Sequence, residues 1–424
     1  MNRCSLLSRI VPATHHWLAC GAVALSSVSV GLAADDWAQW RGPNREGRSS
    51  ESGLMQAWPE GGPTQLWTNT DTGLGYGGIA VVQGQLFTVG SIDEQEFLLA
   101  LDANTGKEQW RAELGALFVN NWGDGPRSTP TVVDGRVYAM GAQGNVVCVD
   151  QKDGSEIWRA NLTDFGGSVP TWGYSESPLV DEDRVVVTPG GPNGGAIVAL
   201  DKNTGKLLWQ ADSCQGTAHY SSVIVAHPHG KKQYVQLFME RLVGLDPANG
   251  QQLWSVDWPG RVAVIPTPIA DGNQVYVSSG YGVGCMMVEI AADNSVTEVY
   301  RNKVMKNHHG GVIKVGEHLY GYSDGPGWTC QDFASGESLW EEGALGKGCL
   351  TFAGGRLIMQ SEDRGEIVLV EPSDAGWRER GRFVLEPQSK QRKRDGRIWT
   401  HPVVSGGKLY LKDQEILYCY DVAE

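Results

Sequence analysis

The sequence predicts an all-β fold, an eight-bladed β-propeller, on three observations. A unit recurs about every 45 residues, each unit holds four short strands, and two incomplete units at opposite ends complete one another. The clearest copy is Ala100-Leu101-Asp102-Ala103-Asn104-Thr105-Gly106-Lys107-Glu108-Gln109-Trp110, repeated almost letter for letter at 199–209. Looser copies occupy 148–158, 244–254 and 330–340, and worn ones 288–300 and 369–377. The last, Leu417-Tyr418-Cys419-Tyr420-Asp421, lacks its Trp.

Each unit follows one script. A polar approach often ending in Ser/Thr-Pro, as in Ser128-Thr129-Pro130, leads into an alternating run such as Thr131-Val132-Val133. Asp134-Gly135 turns the chain into a second strand, Arg136-Val137-Tyr138-Ala139-Met140, and a third strand ends at the Asp. In Asp-x-x-Thr-Gly the carboxylate caps backbone N–H groups and the glycine takes a left-handed conformation. The fourth strand carries the tryptophan, expected to wedge between neighbouring blades; Trp67, Trp110, Trp158, Trp209, Trp254 and Trp340 are the predicted docking residues. Gln65-Leu66-Trp67-Thr68 is a fourth strand with no blade before it, and the final unit lacks one. Pairing the two completes an eighth blade and removes the open sheet edge.

Residues 1–34 read as a signal peptide. Arg3 and Arg9 precede an uncharged, small and apolar stretch from Trp17, and Ala33 or Ala34 supplies the cleavage residue. An uncleaved anchor is the alternative, but the stretch is short and rich in Ser and Gly for a spanning helix. Residues 35–63 read as an extension packed on the propeller, and 64–424 as the propeller itself. No later segment is long and apolar enough to span a membrane, so the expected location is secreted or periplasmic. The formal charge of −14 excludes a general nucleic-acid binder, which needs a basic surface. Cys148, Cys330 and Cys419 share the repeat position of Ala100, Ala199 and Gly244, where a small buried side chain is wanted. Pairing among Cys214, Cys285 and Cys349 stays open. Gly73-Leu74-Gly75-Tyr76-Gly77-Gly78 is read as a turn, because a strand and not a helix follows it.

The motif at 100–110 and 199–209 resembles the tryptophan-docking motif of the quinoprotein (pyrroloquinoline-quinone-type) propellers, and the resemblance extends over about 65–424. Trp37-Ala38-Gln39-Trp40-Arg41-Gly42-Pro43-Asn44 also resembles the opening of secreted quinoprotein-like propellers of planctomycete-type bacteria. That superfamily holds quinone- and calcium-dependent alcohol and sugar dehydrogenases as well as non-catalytic members, such as the scaffold lipoprotein of outer-membrane protein assembly. The resemblance therefore implies two functions. One is a binding platform in the periplasm or cell envelope, without a cofactor and with a protein or envelope component as partner. The alternative is an oxidoreductase using pyrroloquinoline quinone and Ca²⁺. The sequence departs from the dehydrogenases in having no Cys-Cys pair and no calcium set that can be placed residue by residue, which puts the platform first.

Loops entering the innermost strands of a propeller converge on one mouth, where ligands usually sit. At that phase stand Tyr76, Arg127, Tyr174, Glu176, His219, Tyr220, His308 beside His309, Lys347, Trp399 and His401, while Ile265-Pro266 of blade five is apolar. In a ligand funnel Arg127 and Lys347 hold an anion, Glu176 acts as base or metal ligand, and the aromatics stack. Otherwise these residues close the channel on one another. No metal site is expected, since His308 and His309, if in a strand, point to opposite faces. A hydrolytic enzyme is a third reading, resting on the polar mouth alone. The basic run 390–394 is read as a solvated loop between blades seven and eight.

Overall fold

The computed structural model describes Met1 and residues 36–424. The expected signal peptide lies outside the described residues. Eight antiparallel four-stranded sheets follow in chain order at 80–116, 131–161, 179–210, 224–257, 269–302, 312–342, 348–384 and 403–421, numbered here as blades 1 to 8. The last is completed by Gln65–Asn69, which pairs antiparallel with Ile416–Asp421 and closes the ring as the two incomplete units required.

The burial of each strand follows from its depth in the ring. Inner strands such as Arg136–Met140 are packed on both faces by neighbouring blades, so they read as continuous apolar runs. Outermost strands such as Glu108–Ala116 are mostly half-buried or exposed, with only Leu114 buried in that strand. In every blade the outer strand pair slips register by one residue at the small position of the repeat, for example between Ala100 and Leu101 and between Cys148 and Val149. Such a bulge adds twist just before the Asp turn. All six described cysteines are buried and unpaired; Cys148, Cys330 and Cys419 face Tyr138, Tyr320 and Tyr410 across the strands.

Docking follows one pattern at five of the eight blade junctions. The indole N–H of Trp67, Trp110, Trp158, Trp209 and Trp340 donates to the turn carbonyls of Ala103, Gln151, Lys202, Pro247 and Ser373 in the next blade, at 2.7–3.2 Å. The repeat glycine lies flat on the ring: a Cβ on Gly106 would sit 2.4 Å from Trp67, and one on Gly154 2.5 Å from Trp110. Trp254 departs from the expected pattern. Its indole donates to Gln233 Oε1 (2.7 Å) and lies over Gly244, both in its own blade. Blade 5 has lost the Asp and Gly that would receive it. At the following junction Tyr300 replaces the tryptophan, with its hydroxyl on Phe333 O (2.9 Å) and its ring under Gly336.

Residues 37–51 of the N-terminal segment hydrogen-bond to residues in or entering all eight blades, and 54–62 pack along the C-terminus and the outer strand of blade 7. Trp37 pairs with Val81 and Ala38 O accepts from Val132 N. Trp40 Nε1 donates to Thr267 Oγ1 (2.9 Å) and Arg41 to Val312 O (2.5 Å). Arg45 donates to Ser177 O (3.1 Å), Pro178 O (2.5 Å) and Val223 O (3.0 Å). Gly47 and Ser49 bracket Phe352, and Glu51 accepts from Gly406 and Gly407 N–H. Most of these partners belong to innermost strands or the residues entering them, so 37–49 plugs the central channel. Both arginines are buried, and desolvation lowers each to about 10, still charged at neutral pH. Their backbones lie at φ 59° and 61°, a left-handed conformation that bends the segment around the axis.

Candidate functional site: an aromatic mouth

Residues two to four positions before the innermost strand of seven blades meet around a cavity of about 190 Å³. Gly78 with Tyr76, Arg127, Ser175, Tyr220, Ile265, His308 with His309, and Trp399 with His401 contribute at that phase. Trp40 rises from the plug, its ring 4.8 Å edge-on to His401. Trp122, Trp172 and Tyr281 complete the wall. Tyr76 packs on Trp399 at 4.8 Å, Trp122 reaches the same ring at 6.3 Å, and Trp172 meets Tyr220 at 5.8 Å. The lining contains no Asp, Glu, Asn or Gln.

Most polar groups here are committed to one another. Lys347 Nζ lies 2.8 Å from Asp324 Oδ1 and donates to His308 Nδ1 at 2.7 Å. An ammonium only donates, so His308 keeps its proton on Nε2. Burial, then the charges of His309 and Lys347, push His308 down to about 2. His401 donates from Nε2 to His309 O (3.1 Å), and burial followed by Arg41 lowers it to about 3. Glu362 receives His309 Nε2 (2.5 Å) and Trp399 Nε1 (2.9 Å). Burial acts upward on this carboxyl, but the His309 hydrogen bond and charge, Trp399 and Lys347 outweigh it and hold it at about 2.

Arg127 differs. Its guanidinium is anchored on the carbonyls of Gly125 and Gly123 and lies 5.5 Å from the Tyr76 ring and 5.0 Å from Phe118. Among the described residues it makes no ion pair, because Glu96 is spent on the N–H groups of Phe118 (3.2 Å) and Ala142 (2.8 Å). Burial raises Glu96 to about 7. The mouth therefore presents, inside an aromatic box, one cation with no direct ion pair among the described residues, with the Glu96 and Asp124 charges nearby.

Six of the ten predicted funnel residues line the cavity: Tyr76, Arg127, Tyr220, His308, Trp399 and His401. Four do not. Tyr174 is buried and donates to Pro189 O (2.9 Å). His219 accepts from Val264 N (3.2 Å), and burial lowers it to about 4. Lys347 sits behind His308. Glu176, the candidate base or metal ligand, is 1% exposed and accepts from Thr188 N (2.7 Å) and Oγ1 (3.1 Å). Burial raises it to about 7, opposed by the Thr188 hydrogen bonds and the nearby Arg45 charge, and it serves the channel wall rather than the mouth. His308 and His309 both line the cavity, contrary to the strand alternation expected, because the strand begins only at Val312. Trp122 and Trp172 were missed although each stands before a glycine in an entry loop, a repeated Trp-Gly signal. The basic run is tied down, with Lys393 on Asp124 (2.9 Å) and Arg392 on Asp413 (3.2 Å), while Arg394 stays exposed.

The donors required by a calcium–quinone pair do not match this mouth. Among the described residues no group of three or more His, Cys, Asp or Glu converges to hold a metal, and Glu362, behind the cavity wall, already serves His309 and Trp399. The six cysteines are buried and none lines the cavity.

A profile of the family described as outer membrane protein assembly factor BamB matches residues 51–140 and 94–342. Among curated proteins, the assembly factor BamB of Alkalilimnicola ehrlichii is 28% identical over 208 residues, 48% of either chain. Quinohemoprotein alcohol dehydrogenase ADH IIB of Pseudomonas putida is 28% identical over 27% of this chain and 17% of its own. The matches thus span less than half the length of these relatives. Among solved structures, BamB from Moraxella catarrhalis superposes with a TM-score of 0.57 at 16% identity, covering 84% of this chain and 97% of that one. Quinohemoprotein alcohol dehydrogenase from Comamonas testosteroni gives 0.61 at 12% identity, covering 92% and 81%. At such identities these likenesses speak to the fold alone.

Proposed function

The chain belongs to the outer membrane protein assembly factor BamB family, and from that premise we propose that it is an exported, non-catalytic binding propeller of the cell envelope whose aromatic mouth is the binding surface. One observation carries the reading. Apart from Arg127, the charged groups that surround the mouth are committed to neighbouring groups, and among the described residues no metal set converges there, while exposed apolar side chains stand at its edge. Trp122 is 43% and Tyr281 38% exposed, and Val119 and Val262 in entry loops are 67% and 53% exposed. Tyr281 and Val262 are also held at φ 56°, a costly conformation for bulky side chains. Apolar groups kept in water at such cost suit a partner that covers them.

The test is a surface-binding assay with an unfolded outer-membrane β-barrel protein as probe. Val119→Glu with Trp122→Glu is expected to weaken binding at least about tenfold, the cost of burying an unpaired charge. Leu207→Glu, on an outer strand, should leave it unchanged; equal losses for both would sink the proposal. The oxidoreductase reading is supported by the likeness to quinohemoprotein dehydrogenases, and titration with pyrroloquinoline quinone and Ca²⁺ separates the two. Saturable Ca²⁺-dependent quenching of tryptophan fluorescence with dye-linked turnover would replace the platform with the enzyme.

A further inference from the structure

We infer that the mouth takes a small aromatic carboxylate, its ring held among the tryptophans and its carboxylate on the unpaired Arg127. The assignment rests on reading the mouth as a binding site and adds the class of ligand. Three features of the cavity select it. Size comes first: about 190 Å³ admits a single ring with a substituent, since an apolar cavity of about 150 Å³ holds benzene. A fused tricyclic acid with several carboxylates would leave all but one of them without a cation.

Shape and surface come second. Trp40, Trp122, Trp172 and Trp399 with Tyr76 and Tyr281 present ring faces and edges on several sides, which suits an aromatic ring packed offset or edge-on. A sugar acid offers the same carboxylate but brings hydroxyls that need side-chain amides or carboxylates. The lining has none. An aromatic amino acid brings an ammonium group, and among the described residues no carboxylate lines the cavity to receive it.

Charge comes third. The Arg127 guanidinium uses two carbonyls, leaving further N–H groups without a partner among the described residues. A planar carboxylate matches that fork. The His308 Nε2–H, fixed by Lys347 on the opposite nitrogen, is a second unspent donor on the wall. In a chain of net charge −14, a positive mouth built of rings is a selective feature and not a general basic patch.

The experiment is isothermal titration of the full exported chain with benzoate, benzamide and glucuronate. Benzoate is expected to bind with Kd below about 1 mM, and the neutral isostere benzamide at least about tenfold more weakly. Arg127→Met should abolish the preference for benzoate over benzamide. Trp122→Ala, on an exposed loop, should weaken both alike, which keeps the test sound if the Arg127 variant misfolds. The assignment is overturned by folded wild-type protein showing no saturable benzoate binding up to about 10 mM. Glucuronate binding as tightly as benzoate, or an unchanged preference in Arg127→Met, would overturn it equally. Benzoate binding together with quinone-dependent turnover would leave the ligand class standing and remove the non-catalytic reading instead.

Discussion

Replacing Arg45 with methionine keeps the volume of the plug and removes its hydrogen bonds. Two buried carbonyls, Ser177 and Val223, lose their donor, Pro178 O keeps only the Thr131 hydroxyl (2.7 Å), and Gln39 Oε1 loses its partner at 2.9 Å. Unsatisfied buried acceptors cost about 1–3 kcal/mol each, and partial relaxation with water entry brings the expected loss to about 3–5 kcal/mol. With an unfolding entropy of about 2.1 cal/mol/K per residue over 36–424, roughly 0.8 kcal/mol/K, the melting temperature should fall by about 4–6 °C. Arg48→Ala is the control: Arg48 is exposed, with one bond of 3.3 Å to Lys314 O and its guanidinium 5.3 Å over the Phe352 ring, and its removal should cost under about 1 °C. Removing the Arg45 charge also takes from Glu176 a positive neighbour that lowers its pKa. Glu176 then ionises at greater cost, so the gap between wild type and variant should widen as pH rises from about 5.5 to 8. Differential scanning calorimetry at both pH values reads this directly. An Arg45→Met protein melting within about 1 °C of wild type would refute the claim that the plug is energetically part of the ring.

Gly106→Ala and Gly135→Ala both place a side chain at positive φ, but only the first drives a Cβ into Trp67 (2.4 Å against nothing within 4 Å). Chemical denaturation should show Gly106→Ala less stable than Gly135→Ala by about 1–3 kcal/mol. Acid should destabilise the protein from pH 6.5 downward. His219, His308 and His401 are held at about 4, 2 and 3, so the stability tied to their neutral forms is complete above 6.5 and is lost as the unfolded chain takes up protons that the native one refuses. Glu96 and Glu176, raised to about 7, oppose this between 7 and 4.5, so Glu176→Gln should steepen the acid slope; a melting temperature rising from pH 6.5 to 4.5 would contradict the assignment. Lys412 is fully buried with one long bond to Val89 O (3.4 Å), and burial lowers it to about 8. Lys412→Met should therefore stabilise by about 2 kcal/mol at pH 7, with the gain fading as pH rises from about 8 towards 10.5, as thermal melts across that range would show.

The sequence made the mouth partly legible. A residue's distance from the next innermost strand decides whether it reaches the axis, and that distance can be counted from the repeat; Arg127, Tyr220 and His308 follow from it. Which way a side chain turns cannot be counted. Glu176 and Tyr174 stand within two residues of Ser175, yet Ser175 alone of the three faces the cavity. Tyr281 enters from a hairpin tip of blade 5, outside the entry loops altogether.

Fold, blade number and ring closure were written into the chain, because a repeated covalent pattern repeats its strands, turns and bulges, and an orphan fourth strand has one partner that seals the sheet. Docking glycines and tryptophans were legible for the same reason, except where the worn blade 5 sent Trp254 back onto its own sheet. The plug belonged to the tertiary structure. Trp40 finds Thr267 across 227 residues and Arg41 finds Val312 across 271, contacts that exist only once the ring has brought eight innermost strands around one axis. The charge of the mouth was settled there too, since Lys347 is ion-paired with Asp324 and Glu362 is hydrogen-bonded by His309 and Trp399, while Arg127 has no ion-pair partner among the described residues.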